Sequence, residues 1–71
     1  PARVEALRHC LAKLPGPARE VLRLRYEQGL ACPAVAGRLG RNVDAVYQTL
    51  SRLHRRLREC IEAQLARGPA P

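Results

Sequence analysis

Three backbone breaks, Pro15-Gly16-Pro17, Gly29 and Gly40, cut this chain into segments too short or too strongly periodic for anything but helices. Before the first break, Arg3 to Lys13 carries Val4 and Leu7, continued by Leu11 and Leu14, at the spacing of one helical stripe, with Cys10 at its edge. Pro17 suits the first turn of a second helix, expected to run to about Glu27 with Ala18, Val21, Leu22, Leu24 and Tyr26 inward. Arg25 falls in the middle of that apolar arc, where a cation needs a carboxylate partner or a route to solvent. A short third helix follows from about Cys32 to Leu39, tolerating Pro33 in its first turn and sharing Cys32, Val35, Ala36 and Leu39 on one face. Gly40 suits a left-handed C′ position, and Asn42 offers an N-cap with Asp44 in the turn behind it. The fourth helix then runs from Val43 to about Ala66. The spacing predicts an all-α, four-helix domain over residues 1–67, with 68–71 as a frayed tail.

Composition agrees with helices and narrows the function. The 71 residues suit one small domain and hold only 3% aromatics, few for a β-sandwich or barrel of this size. Thirteen basic residues against six acidic ones leave a formal charge of +7, a field able to attract a polyanion such as nucleic acid. No run approaches the roughly 18 apolar residues of a membrane span, and no signal-peptide pattern is present. A chain that begins on Pro1 rather than Met is expected to be a piece of a longer protein. Catalysis is not expected, with one Asp, five scattered Glu and two His. The three cysteines, Cys10, Cys32 and Cys60, lack metal-ligand spacing. A zinc site using them with His9 or His54 is formally possible, but small core hydrophobes in a reducing, cytosolic setting fit better. No metal or cofactor is expected.

The fourth helix carries the chemistry. At about 100° per residue, Leu50, Leu53, Leu57, Cys60 and Ile61 all fall within roughly 60° of Val46. Asp44, Gln48, Ser51, Arg52 and Arg55 fall on the opposite side, at roughly 140° to 240°. From Arg41 to Arg58 there are five Arg and one Asp, where a merely solvated helix would mix signs at i, i+4. His54, at roughly 80°, reads as a boundary residue rather than a ligand or base. Two helices joined through Gly40, Arg41 and Asn42 make a helix-turn-helix, with Ala36 at the crossing and Val46 plugging the first helix.

The stretch from Leu14 to Leu57 resembles region four of bacterial RNA polymerase sigma factors, most closely the extracytoplasmic-function group. The matching residues are Leu14-Pro15, Arg19-Glu20-Val21-Leu22, Leu24-Arg25-Tyr26, Gly29-Leu30, Val35-Ala36, Leu39-Gly40, Val46 and Ser51-Arg52. The resemblance implies a bacterial, cytoplasmic transcription-initiation domain that recognises the −35 element of double-stranded promoter DNA. It also implies docking on the β-flap of the RNA polymerase core, and an anti-sigma factor as a further partner. Carried onto this chain, base reading falls to Tyr47, Gln48, Ser51 and Arg52, and phosphate contact to Arg41, Ala45, Arg55 and Arg56. Gln pairs bidentately with adenine and Arg with guanine, while amides at the starts of the third and fourth helices suit phosphates. Ala45 stands where the family usually has Thr, Ala34 where it has an acid, and Arg41 at a turn position more often apolar. Tyr47 and Gln48 replace the common Lys or Arg and Ser. With the Leu seam consumed by packing, the isolated domain is expected to be a monomer. Two other readings fit the residues: the helix-turn-helix output domain of another bacterial regulator, and a basic helical module that binds an acidic protein.

Overall fold

The computed structural model describes residues 2–67. Four α-helices appear in the expected order, α1 (Ala2–Ala12), α2 (Gly16–Leu22), α3 (Cys32–Leu39) and α4 (Val43–Ala66), with no strand among the described residues. The domain is therefore all-α. The tail expected at 68–71 lies outside the described residues.

The second helix differs from its sequence reading. It is α-helical only to Leu22 and continues from Arg23 to Glu27 as a π-helical turn. Its wider ladder is seen where the Gln28 N–H donates to the Arg23 carbonyl five residues back at 3.0 Å, and beyond the helix the Leu30 N–H closes the turn on the Leu24 carbonyl at 3.1 Å. Gly29 then takes φ 67°, ending the helix in a conformation that side-chain-bearing residues resist. Val21, Leu22 and Leu24 are buried as expected, but Tyr26 is 56% exposed. Arg25 is half-buried and lies over the Tyr26 ring, its guanidinium carbon 5.4 Å from the ring centroid. Of the two expected alternatives Arg25 thus keeps a route to solvent, with the aromatic face beside it, and no ion pair to Arg25 occurs among the described residues.

The turn between α3 and α4 follows its sequence signals. Gly40 sits at φ 65°, ψ 36°; the Arg41 N–H donates to the Ala36 carbonyl at 2.8 Å and the Gly40 N–H to Gly37 at 3.4 Å. That pair of bonds is a Schellman ending, which satisfies carbonyls left open by the last turn of α3. Two residues later the Asn42 side chain accepts the Asp44 N–H at 2.7 Å and starts α4. Val35, Ala36, Val46, Leu50 and Leu53 then pack with α2 residues into one core. A β-branched pair, Val35 and Val46, is completely enclosed at the crossing, so the angle between α3 and α4 is set by side chains with little rotamer freedom.

The first helix is rotated from its expected stripe. Leu14 is buried and Leu11 half-buried against the core as expected, but Ala6 and Cys10 also face inward, whereas Val4 is 44% and Leu7 38% exposed. The reason is a disulfide between Cys10 and Cys60, whose Cα atoms lie 5.9 Å apart. That link brings α1 close against α4, and a small residue such as Ala6 suits the contact better than Leu7. The expectation of three unpaired core cysteines is corrected accordingly: Cys10 and Cys60 are bonded, and Cys32 alone is a free, buried thiol. Fifty residues separate the partners, so their pairing left no local spacing pattern to read.

Candidate nucleic-acid interface

The exposed face of α4 gathers most of the residues expected to meet DNA. Gln48, Ser51, Arg52 and Arg55 are exposed on the side opposite Val46, Leu50 and Leu53, which are buried. Tyr47, 54% exposed, and Arg56 lie on opposite flanks of that face, about 180° apart around the helix. Arg41 is exposed on the turn that enters α4. Ala45 is half-buried in the first turn and carries no polar side-chain atom, so only its backbone could meet a phosphate. The amide just before it, that of Asp44, is already taken by Asn42.

Among the described residues the arginines of this face are held by no carboxylate. Among the described residues the ion pair on α4 is Arg58 with Glu62, 3.9 Å apart and well exposed, one turn beyond the face. Arg52, Arg55 and Arg56 have none. Elsewhere the well-formed surface pair is Arg23 with Glu20, joined by two hydrogen bonds of 2.7 and 2.8 Å. The hydrogen bond from Arg23 holds the Glu20 carboxyl below its ordinary range, and the same bond raises the Arg23 guanidinium. The contrast matters for function: unpaired guanidinium groups on a rigid helix are free to meet phosphate or guanine, while a paired one is not.

These geometric features place a rigid helix, polar and basic on its outer side, on a Gly-terminated turn from a second helix. The sequence matches the family described as sigma-70, region 4, over residues 4–57. The chain belongs to the sigma-70 region 4 family. The match takes in α1 as well as the Leu14 to Leu57 stretch, so the helix tied down by the disulfide is part of the family domain. No curated protein matches the chain, and no solved structure does. As a sigma region 4 domain it is a DNA-binding module of transcription initiation. No helix among the described residues is long and apolar enough to cross a membrane, and no group of three or more potential metal ligands is found among them.

A second surface of this sigma region 4 domain escaped the sequence reading. Between α1, the α2 body and α4 lies a groove of about 470 Å³, lined by Leu7, Leu11, Leu22, Tyr26, His54 and Leu57. Arg19, Arg23 and Glu27 add charged groups to its lining. His54 is exposed on α4 and its Nε2 lies 2.6 Å from the Tyr26 hydroxyl, so this boundary residue bridges α4 to the π-helical turn across the groove. Neither Tyr26 nor Leu7 could be assigned to an outward groove from sequence. Both read as core by periodicity, and only the π-turn and the rotation of α1 turn them out.

Proposed function

We propose that the outer face of α4 recognises the −35 promoter element and that the apolar groove docks on the β-flap of core RNA polymerase. Together these contacts direct transcription initiation in the bacterial cytoplasm. The observation that carries the reading is the segregation on α4: Gln48, Ser51, Arg52 and Arg55 outward and unpaired, the Val46–Leu50–Leu53 seam fully inward. In this reading Gln48 and Arg52 pair with base edges, Tyr47 and Ser51 add contacts from the same groove, and Arg41, Ala45, Arg55 and Arg56 fix the register on phosphates. Docking supplies what a single reading helix lacks. One such module buries only about 600–1,000 Å², so affinity for a lone duplex is weak and strongly salt-dependent. Tethering on polymerase beside another promoter contact raises the effective concentration to the millimolar range. An anti-sigma factor would act by covering either surface.

The test is a pair of substitutions read by fluorescence anisotropy on promoter and random duplexes, and by transcription with the full sigma factor on core polymerase. Arg52→Ala is expected to cost about 1–3 kcal/mol on the cognate duplex and to relax preference at one base position. Arg55→Ala is expected to weaken every duplex alike and to lower the salt slope by about one. Promoter-dependent transcription unchanged by Arg52→Ala would mean that another face reads the DNA. A nanomolar, sequence-selective complex from the lone domain, or a stable dimer, would favour an autonomous regulator instead.

A further inference from the structure

We infer that the Cys10–Cys60 disulfide is a reversible redox latch that decides whether α1 forms a wall of the docking groove. The inference rests on the proposed role at cytoplasmic RNA polymerase. Disulfides in that compartment are as a rule transient, catalytic or redox-sensing rather than permanent staples.

The structure supplies the element that such a latch would move. Helix α1 has only 11 residues, below the length at which an isolated helix holds in water. Its buried side chains are Ala6 and Cys10, with Leu11 partly buried and Leu14 buried just past its end. Its larger apolar residues, Val4 and Leu7, are substantially exposed. Apart from the disulfide, then, α1 lies along α4 with Ala6 and half-buried Leu11 as its inward apolar side chains, and buried Leu14 anchors the chain just past its end. Cys60 is half-buried on α4 between exposed Glu59 and half-buried Ile61, whereas Cys10 is 2% exposed, so Cys60 is the more open of the two bonded cysteines. The consequence reaches the groove directly, because Leu7 and Leu11 of α1 form one side and His54 and Leu57 of α4 the other. Cutting the link lets α1 open as a local unit and removes that side.

The chemistry balances as thiol–disulfide exchange with a low-molecular-weight thiol. Its thiolate attacks Cys60 Sγ, the Cys10–Cys60 bond breaks, and Cys10 leaves as a thiolate that takes a proton. A second thiol attacks the outer sulfur of the mixed disulfide, frees Cys60, and leaves as the oxidised small disulfide. That small disulfide is the two-electron oxidant of the reverse direction.

The experiment compares the oxidised chain, the chain equilibrated in glutathione buffers of graded ratio, and the Cys60→Ser variant. Hydrogen exchange of α1, thermal unfolding and binding to core RNA polymerase are read on each. The expected result is that Cys10 and Cys60 pass from bonded to free within the range the glutathione buffers span. Amides of α1 then lose protection while those of α3 and of α4 up to Leu53 keep theirs. The melting temperature is expected to fall by more than about 10 °C, and polymerase binding to weaken by about tenfold or more as the groove-competent fraction drops. Cys60→Ser should match the reduced chain under both conditions. Equal α1 protection in the oxidised and reduced wild-type chain overturns the inference, as does a disulfide that survives excess reduced glutathione. If α1 opens on reduction but neither form binds polymerase, the latch stands and the docking assignment fails.

Discussion

Up to Leu53, α4 is held by burial: Val46, Leu50 and Leu53 lie against the core and none exceeds 6% exposure. From Leu57 onward its apolar residues, Ile61 and Leu65 among them, are only half-buried, and the helix is secured to α1 by a covalent bond. One 24-residue helix, about 36 Å long, thus serves two purposes with two kinds of support. The end that presents arginines to a duplex needs a fixed orientation, which close packing gives, because displacing an enclosed side chain costs the contacts on all its sides. The end beside the apolar groove buries less of its apolar surface, and there a disulfide adds to the packing of α1 on α4. Precision at one end and adjustability at the other follow from how much apolar surface each buries.

The contrast can be broken first at the packed end. Leu50→Ala is expected to destabilise the domain by about 2–5 kcal/mol in denaturant titration, since Leu50 is 6% exposed in the core. Ile61→Ala, at a half-buried site, is expected to cost much less; equal losses at the two positions would erase the distinction. Removing the disulfide through Cys60→Ser comes next, at about 2–4 kcal/mol for a link that closes so long a loop. That loss is expected to concentrate in α1, so a uniform drop in hydrogen-exchange protection across all helices would show that the latch braces the whole core.

Smaller effects sharpen the picture at the turn and on the surface. Asn42→Ala is expected to cost about 1 kcal/mol by freeing the Asp44 amide, and to weaken DNA binding beyond that if the start of α4 must be ordered to read bases. Calorimetry and anisotropy on the same variant separate the two. Glu20→Gln should have the smallest effect. The Glu20 carboxyl is held below its ordinary value near 4.5 by the hydrogen bond from Arg23, so its contribution is present above that pH and fades as pH falls through the lowered value. The variant should therefore lose this small contribution at neutral pH, converge with the wild type as pH falls through the lowered value, and show a flatter acid limb in its stability curve. Both groups are solvent-exposed, and salt should shrink the difference further.

Local signals sufficed wherever the deciding atoms were neighbours in the chain. Pro17, Gly29, Gly40 and Asn42 each set the backbone within a few residues of themselves, and the helix boundaries fall close to where those residues stand. The period of α4 was equally legible, because Val46, Leu50 and Leu53 repeat at the spacing that places them on one side of any α-helix. The same arithmetic assigned Gln48, Ser51, Arg52 and Arg55 to the exposed side, and they are there. Fold class, the helix-turn-helix and the candidate reading face could thus be derived from residue order and helical geometry.

What the sequence left open was settled by contacts between distant segments. Of the stripe Val4, Leu7, Leu11 and Leu14, Leu14 is buried and Leu11 packs on the core as its period predicts, but Val4 and Leu7 are exposed, and Ala6 and Cys10 turn inward where Cys10 is bonded to Cys60. Tyr26 shares the apolar arc of α2 on a wheel of 3.6 residues per turn, but the π-helical turn breaks that period and leaves it facing His54 across a groove. Periodicity reports which residues of a helix share a side; it carries nothing about which neighbour that side will meet. The pairing of two cysteines fifty positions apart, the rotation of a short helix and the groove between them depend on packing across elements, and only the tertiary structure decides those.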